Sequence, residues 1–509
     1  MRPLRSLLAF TVATALLAAP AFATWSIIIV NKRTGEVAVG SETCLDGFNL
    51  EHFLPVIVPG KGAACAQSSI DVTGANRVRL WNMLHEGADP QLMLERLHAN
   101  DPLHQQRQYG IADFTHFPAS FTGSGCGQAC WSITGEVDEL SYAIQGNVLA
   151  GVLPLYDAEN AVLTTPGDLS QKLVAAMEAA RADGGDGRCS CSEGDPTGCG
   201  SPPPNFVYSA YTGFLILARM GDDESFCNGA NGCATGDYWL NLNAISGPGG
   251  QDPVLILENA YANWRVSMHG RADAVQSRVT PGAQSMPADG ATRTLVDVQL
   301  RDLDGGPVTI PATLTVALDP SSPADVTLGA IEDLGNAHFR VALGAGTQTG
   351  TAKLHITAHH QSRHYLLWPE ISIALEPLTP FACGYQELSA TQGGAVPLVA
   401  NLGAAQSGAQ YLMLASTSGT QPGTLFQGAL VPLNADALFW SSVNGANGPR
   451  FVHTLGLLSA NGRAQGTYVV PPLALVPMIG QHLDFAALRV ADASGPAFAT
   501  AADGFLVVP

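Results

Sequence analysis

Helical periodicity runs through the first half of this chain and stops near Arg265. Before that point, apolar residues recur at helical spacing in four stretches separated by β-branched runs. After it, short Val, Leu and Thr runs alternate with Gly, Pro, Asn and Asp turns. One core cannot serve both patterns, and 509 residues suit about three domains. The expected organisation is a leader over 1–23, an α+β domain over 24–265, and two all-β sandwich domains over 266–377 and 378–509.

Arg2 and Arg5 precede an apolar stretch over 7–19, and Ala21-Phe22-Ala23 supplies the small residues of a cleavage site. Together they read as a secretory signal peptide. No other segment offers about 18 consecutive apolar residues, so no membrane span is expected once the leader is gone. The expected location is secreted, either extracellular or periplasmic. Ten Cys suit such a compartment, where disulfides persist. Nine of them precede residue 234, so at most four bridges form among those nine and one thiol is left over. Spacing does not reveal the pairing. Cys189 and Cys191 are too close to bond each other, and each is expected to reach into the later loop at Cys199, Cys227 or Cys233. Paired C-x-x-C halves are missing, which argues against structural zinc. No metal and no cofactor is expected.

Composition removes one large class of function. Twenty-four Lys and Arg against 43 Asp and Glu give a net charge of −19. Nucleic-acid binding needs clustered cations to displace phosphate counterions, so no nucleic-acid partner is expected. Hydrophobic residues at 46% and charged residues at 13% supply folded cores, and 55 Gly and 33 Pro point to turn-rich β structure.

Within the first domain, 24–30 reads as a strand, 31–36 as its turn, 37–42 as the return strand and 62–67 as a third. Val78, Leu80, Trp81 and Leu84 predict a helix over 76–86 ending at Gly87. Asp89 then caps a second helix, with Pro90 at its first position and Leu92, Leu94 and Leu97 along it. Strands are predicted over 107–113, 119–122, 131–134 and 140–146. A helix over 168–182 follows, then strands over 206–220 and 238–243, and Asp252-Pro253 opens a last helix toward Trp264. This order suits two sheets covered by helices on both outer faces.

Residues 266–377 read as an immunoglobulin-like sandwich and resemble the Ig-like modules of bacterial surface proteins. Residues 378–509 read as a second accessory sandwich. Asp302 and Asp304 are expected in an acidic turn rather than a Ca²⁺ site. His359, His360 and His364 lack a spaced carboxylate or Cys and are expected at the surface. No aromatic stripe after 266 marks a sugar site, so any partner of these modules is an unspecified surface or extracellular one.

No G-x-S-x-G elbow, H-E-x-x-H helix or phosphate loop occurs. The informative feature is the cleavage site itself, since cutting after Ala23 makes Thr24 the first residue. A threonine hydroxyl needs a base to take its proton. A free α-amine, with an ordinary pKa of about 7.7–8, stands on the adjacent carbon and can act directly or through one water. In an uncut chain that nitrogen is an amide and cannot. Leader removal would therefore switch such an activity on.

Thr24-Trp-Ser-Ile-Ile-Ile-Val, Thr34-Gly-Glu-Val-Ala-Val-Gly, Ala66-Gln67-Ser68 and Asn100-Asp101-Pro102 set a pattern across the domain. It continues through Arg107-Gln108-Tyr109-Gly110, Phe121-Thr122-Gly123, Gln145-Gly146-Asn147-Val148-Leu149-Ala150-Gly151 and Gly184-Gly185-Asp186-Gly187-Arg188. These stretches resemble an uncharacterised bacterial domain family placed in the N-terminal-nucleophile (Ntn) hydrolase superfamily. The resemblance implies a four-layer αββα sandwich with the nucleophile opening a central strand, and hydrolysis of amide bonds. A small amide, peptide or cell-wall-derived molecule would be the substrate. Asn147 and Gln145 are candidate oxyanion donors at a strand end. Arg188 is a candidate for a substrate carboxylate or for support of Thr24, and Asp186 for orienting Arg188 or the α-ammonium. Lys32, Arg33 and Glu42 are candidates for tuning the amine, and Ser26 shares the face of Thr24 by alternation. The competing expectation is a catalytically silent exported or cell-surface binding protein that works through its β modules.

Overall fold

The computed structural model describes residues 24–224, 226–290, 292–361, 363–377 and 379–509. The signal-peptide reading of 1–23 lies outside the described residues. The chain divides into two compact units. One holds the residues up to Val275 together with Asp302–Asp304 and His364–Pro369, and the other holds Gln276–Arg301, Gly305–Arg363 and Glu370–Pro509.

The first unit is mixed α and β. In chain order its elements are β1 (Thr24–Asn31), β2 (Glu36–Thr43), α1 (Leu50–Phe53), β3 (Pro55–Val58), β4 (Gly62–Ser68), α2 (Ala75–Glu86), α3 (Pro90–Asn100), β5 (Arg107–Asp113) and β6 (Ala119–Thr122). There follow β7 (Trp131–Val137), β8 (Leu140–Asn147), α4 (Leu153–Thr164), α5 (Leu169–Ala182), α6 (Gly187–Ser190), β9 (Thr212–Ala218), β10 (Leu240–Ile245) and α7 (Pro253–Met268). Six strands form one antiparallel sheet in the order β10-β9-β2-β1-β8-β7, and four form another in the order β3-β4-β5-β6.

Alternation along the strands sorts their side chains into layers. Trp25, Ile27, Ile29, Tyr142, Ile144, Leu215 and Leu217 pack on the outer side of the larger sheet against Leu155 of α4, Leu169, Leu173 and Met177 of α5, and Leu257 of α7. Ile28, Val30, Val37, Val39 and Ala143 point the other way and meet Ile57, Ala63, Cys65 and Ala112 of the smaller sheet. The outer side of that second sheet, with Val56, Val58, Tyr109 and Ile111, is covered by Leu80, Leu84, Leu94 and Leu97 of α2 and α3. The α2 turn closes as expected, because Gly87 adopts φ +67° and its N–H reaches the carbonyls of the last turn.

The second unit is β-rich and sandwich-like. Arg278–Pro281, Arg293–Gln299, His338–Gly344 and Thr327–Gly335 are neighbours in one sheet, and Ser285–Pro287, Ile371–Glu376, Gly350–His360 and Thr313–Leu318 in another. Alternate residues are buried along Arg293–Gln299 and Gly350–His360. Further on, strands such as Gly394–Asn401, Arg463–Val470, Gln410–Ser416 and His482–Arg489 enclose a core of Val396, Leu398, Met413, Tyr468, Phe485 and Phe505.

Several sequence expectations change. Helix α7 runs past Arg265 to Met268, and a helix over Ala437–Asn444, capped by Asp436, interrupts the all-β pattern. Elements α1, β3 and α4 were not predicted. The first two are four residues each, and α4 opens on Val152 with no side-chain cap. His360 is not a surface residue: it is 2% exposed, with Nδ1 3.2 Å from the Pro311 carbonyl. Asp302 accepts from the Gly270 N–H, while Asp304 pairs with Arg265 and His269, so the acidic turn serves as a helix-end tether.

Three disulfides form: Cys44–Cys189, Cys191–Cys199 and Cys227–Cys233. Cys191 reaches the later loop as expected. Cys189 instead bonds back across 145 residues to the end of β2, because the helical turn α6 carries it there. The bridges agree with an oxidising compartment. No helix among the described residues is long and apolar enough to cross a membrane.

Candidate functional site

The layer between the two sheets is not uniform. One end is apolar, but the other end carries polar side chains: Thr24 and Ser26 on β1, Ser41 and Thr43 on β2, Gln67 on β4, Gln108 on β5, and Gln145 and Asn147 on β8. All eight are buried. Buried polar groups must find partners or cost stability, so this end is organised by hydrogen bonds.

Three glutamines join the sheets. Gln67 Nε2 donates to the Thr24 carbonyl at 2.9 Å and to Gln108 Oε1 at 2.8 Å, and Ser26 Oγ donates to Gln67 Oε1 at 2.6 Å. Gln108 Nε2 in turn donates to the Gly146 carbonyl at 3.0 Å. The Gln145 amide donates to Ser26 Oγ. Gly110 lies opposite it, and a Cβ there would push the Gln145 amide from this position.

Thr24 lies on the central strand β1, directly across from Asn147 on β8. Its side chain is fully buried, and its hydroxyl lies 3.3 Å from Thr43 Oγ1. Thr43 Oγ1 also lies 3.4 Å from Arg188 Nη2. Arg188 is held by Asp186 through Nη2 at 2.8 Å and Nε at 3.2 Å. Asp186, itself fully buried, further accepts from the Cys44 and Arg188 backbone N–H groups. A relay of contacts thus runs from a fully buried carboxylate through a guanidinium and a hydroxyl to Thr24, and the Cys44–Cys189 bridge joins the residue after Thr43 to the residue after Arg188. The Asn147 amide donates to the Cys126 carbonyl at 3.5 Å.

The expected residues separate into two groups. Thr24, Asn147, Asp186 and Arg188 come together at one end of the inter-sheet layer, with Gln145 and Ser26 one pleat further in. Lys32 and Arg33 do not join them. They sit at the opposite end of β1 and pair with Glu136 at 2.5 Å and Glu139 at 3.0 Å. Glu42 pairs in register with Trp25 and so faces the helix layer, away from Thr24. Among the described residues neither of its carboxyl oxygens has a hydrogen-bond partner. Burial, followed by the nearby Asp252 charge, pushes its pKa well above the usual carboxylate range, and Arg181 offsets only part of that.

Thr43, Gln67 and Gln108 were not singled out from the sequence. The signal was present, because each is a polar residue whose strand alternation puts it on the same face as buried apolar neighbours further along.

Residues 24–194 match a family of unknown function, DUF1028. The DUF1028 stretch contains the whole constellation from Thr24 to Arg188. A solved DUF1028 protein, SPO2555 from Silicibacter pomeroyi, is similar at 17% identity over 47% of this chain and 88% of that chain, with a TM-score of 0.34. The adhesin InvE of Yersinia pseudotuberculosis is similar at 18% identity over 45% of this chain and 58% of its own, with a TM-score of 0.18. The Escherichia coli adhesin FdeC is similar at 9% identity over 94% and 96%, with a TM-score of 0.21. No curated protein matches the chain.

Proposed function

We propose that the DUF1028-matching part of this chain is an exported Ntn-type amide hydrolase whose nucleophile, Thr24, is freed by cleavage after Ala23. The observation that carries this reading is the place of Thr24: on a central strand, opposed by Asn147 and against Thr43, which in turn meets the Arg188 held by Asp186. The helix, sheet, sheet, helix layering supports it as well.

In this reading the freed α-amine takes the Thr24 hydroxyl proton as Oγ1 attacks a substrate amide carbon. Asn147 Nδ2, released from the Cys126 carbonyl, donates to the developing oxyanion. The tetrahedral species collapses as the α-ammonium returns its proton to the departing amine, leaving an ester on Thr24. The amine then draws a proton from water, whose oxygen attacks the ester and regenerates the hydroxyl. Arg188, fixed by Asp186, holds Thr43 against the nucleophile and supplies positive charge for an acidic substrate group. Gln145 is turned to Ser26 and serves to seat β1. The substrate class is a small amide, a peptide or a cell-wall fragment.

Mass spectrometry of the exported protein is expected to find a chain that starts at Thr24 and takes up an acylating probe there. Thr24→Ser retains labelling, while Thr24→Ala abolishes it and leaves the circular dichroism spectrum unchanged. A different first residue, or labelling that survives Thr24→Ala, refutes the hydrolase. The complete burial of Thr24 favours a second reading, an exported or surface binding protein that acts through its β modules. That reading predicts no acylation in any variant.

A further inference from the structure

The second unit brings together three side chains that sequence spacing does not connect. The middle one is His355, on the strand Gly350–His360, which lies between Thr313–Leu318 and Ile371–Glu376 in one sheet. Alternation along this strand buries Ala352, Leu354 and Ile356 and turns His355 to the opposite, partly exposed face. Leu354 pairs with Leu318 on one side and with Ile371 on the other. Asp319 follows Leu318 and Glu370 precedes Ile371, so the two carboxylates flank His355 from the two neighbouring strands. Three adjacent strands thus deliver one side chain each to a single spot.

One donor atom from each of Asp319, His355 and Glu370 lies within 4.8 Å of the other two. His355 Nε2 stands 2.7 Å from Glu370 Oε1 and 3.4 Å from Asp319 Oδ2. Asp319 is fixed through its other oxygen, because Oδ1 accepts from the Ser321 hydroxyl and, at 2.8 Å, from the Ser321 N–H. These bonds hold its carboxyl below the usual carboxylate range. Lys353 reaches the other oxygen of Glu370, with Nζ 3.9 Å from Oε2. A single proton on Nε2 can point at only one of the two carboxylates, whereas an ion among the three atoms is shared by all of them. The 3.4 Å edge matches the spacing of two ligands on a tetrahedral ion with bonds of about 2.0–2.1 Å, and a small rotation of the partly exposed Glu370 side chain opens the shorter edge.

We propose that Asp319, His355 and Glu370 bind a divalent transition-metal ion, with Zn²⁺ as the matching one. The donor set selects it. Ca²⁺ and Mg²⁺ are held by oxygen, while an imidazole beside two carboxylates suits Zn²⁺ and its neighbours in the first transition row. Three protein ligands leave the solvent side of a four-coordinate ion for water or for a carboxylate from outside. The ion ties the two flanking strands to the strand between them, so its binding energy adds to the stability of this sandwich.

The test uses the full chain without an affinity tag, stripped of metal by a chelator. Calorimetric titration with zinc chloride is expected to show one tight site per chain, which excess Ca²⁺ or Mg²⁺ does not displace. Zinc X-ray absorption then shows one imidazole nitrogen and otherwise oxygen in the coordination shell. Asp319→Asn, His355→Gln and Glu370→Gln each weaken the site by at least about tenfold, the scale of losing even an outer partner of a ligand. His359→Gln, two residues along the same strand face, leaves it unchanged. The chain has 13 His, so this pattern rather than zinc uptake alone is the readout. Zinc also raises the thermal unfolding temperature of the parent and not that of His355→Gln. All four substituted residues are partly exposed, so the variants are expected to fold, as circular dichroism checks; if one does not, the other two ligand variants carry the test. A chain that takes up no zinc holds a protonated His355 between its carboxylates and overturns the proposal. Binding that survives the ligand substitutions, that is lost equally in His359→Gln, or that shows sulfur in the shell overturns it as well.

Discussion

At the scale of single residues, the buried carboxylates of this domain answer to their neighbours. Asp186 is fully buried yet surrounded by donors, so it holds Arg188 in place. Glu42, only one position from Thr43, has none. A carboxyl whose folded pKa is raised binds its proton more tightly in the native state. Its contribution to stability is therefore complete below the unfolded value of 4.5 and is lost as pH rises through the folded value. Glu42→Gln removes that titration. The variant is expected to match the parent in acid and to exceed it by on the order of 1 kcal/mol above neutral pH. Urea unfolding at a series of pH values checks this, and an unchanged pH slope in the variant would refute it. The same logic explains why Lys32 and Arg33, cationic and close to Thr24 in sequence, are irrelevant to it: a strand eight residues long carries its turn to the far end.

At the scale of elements, capping and alternation made most of the first unit readable. Asp168 and Gln171 form a reciprocal capping box that starts α5 where the sequence placed it, just as Asp89 starts α3 and Asp252 starts α7. Asp168→Ala is expected to cost about 1 kcal/mol, and more if the Arg265 ion pair at 2.6 Å is also missed, as read by thermal unfolding. Where such local chemistry is absent, the sequence was silent. Element α4 lacks a side-chain cap, and β3 is too short for its period to register. The helix over Ala437–Asn444 is a single short interruption of a β pattern, though Asp436 caps it. For the candidate site, the strand positions of Thr24, Ser26, Gln145 and Asn147 were legible from period and order. The docking of Thr43 onto Arg188 was not, because it depends on a bridge between residues 145 positions apart.

At the scale of the whole molecule, the strand that bears Thr24 is flanked by one neighbour close in sequence and one far away. β2 follows at once, whereas β8 closes on β1 with Thr24 opposite Asn147, and Asp186 and Cys189 arrive later still. Reducing Cys44–Cys189, or replacing both with Ser, is expected to lower stability by roughly 4 kcal/mol, since this bridge closes the longest loop of the three. Calorimetry of the full chain reads the loss in the transition of the first unit, and an unaltered transition would count against it. The arrangement also has a kinetic side. Long-range pairing of this kind slows folding, and no nascent fragment that ends before residue 189 can hold the threonine, the asparagine and the arginine together. Competence at this end of the sheets therefore arises all at once, and only after the chain has been made as far as Cys189.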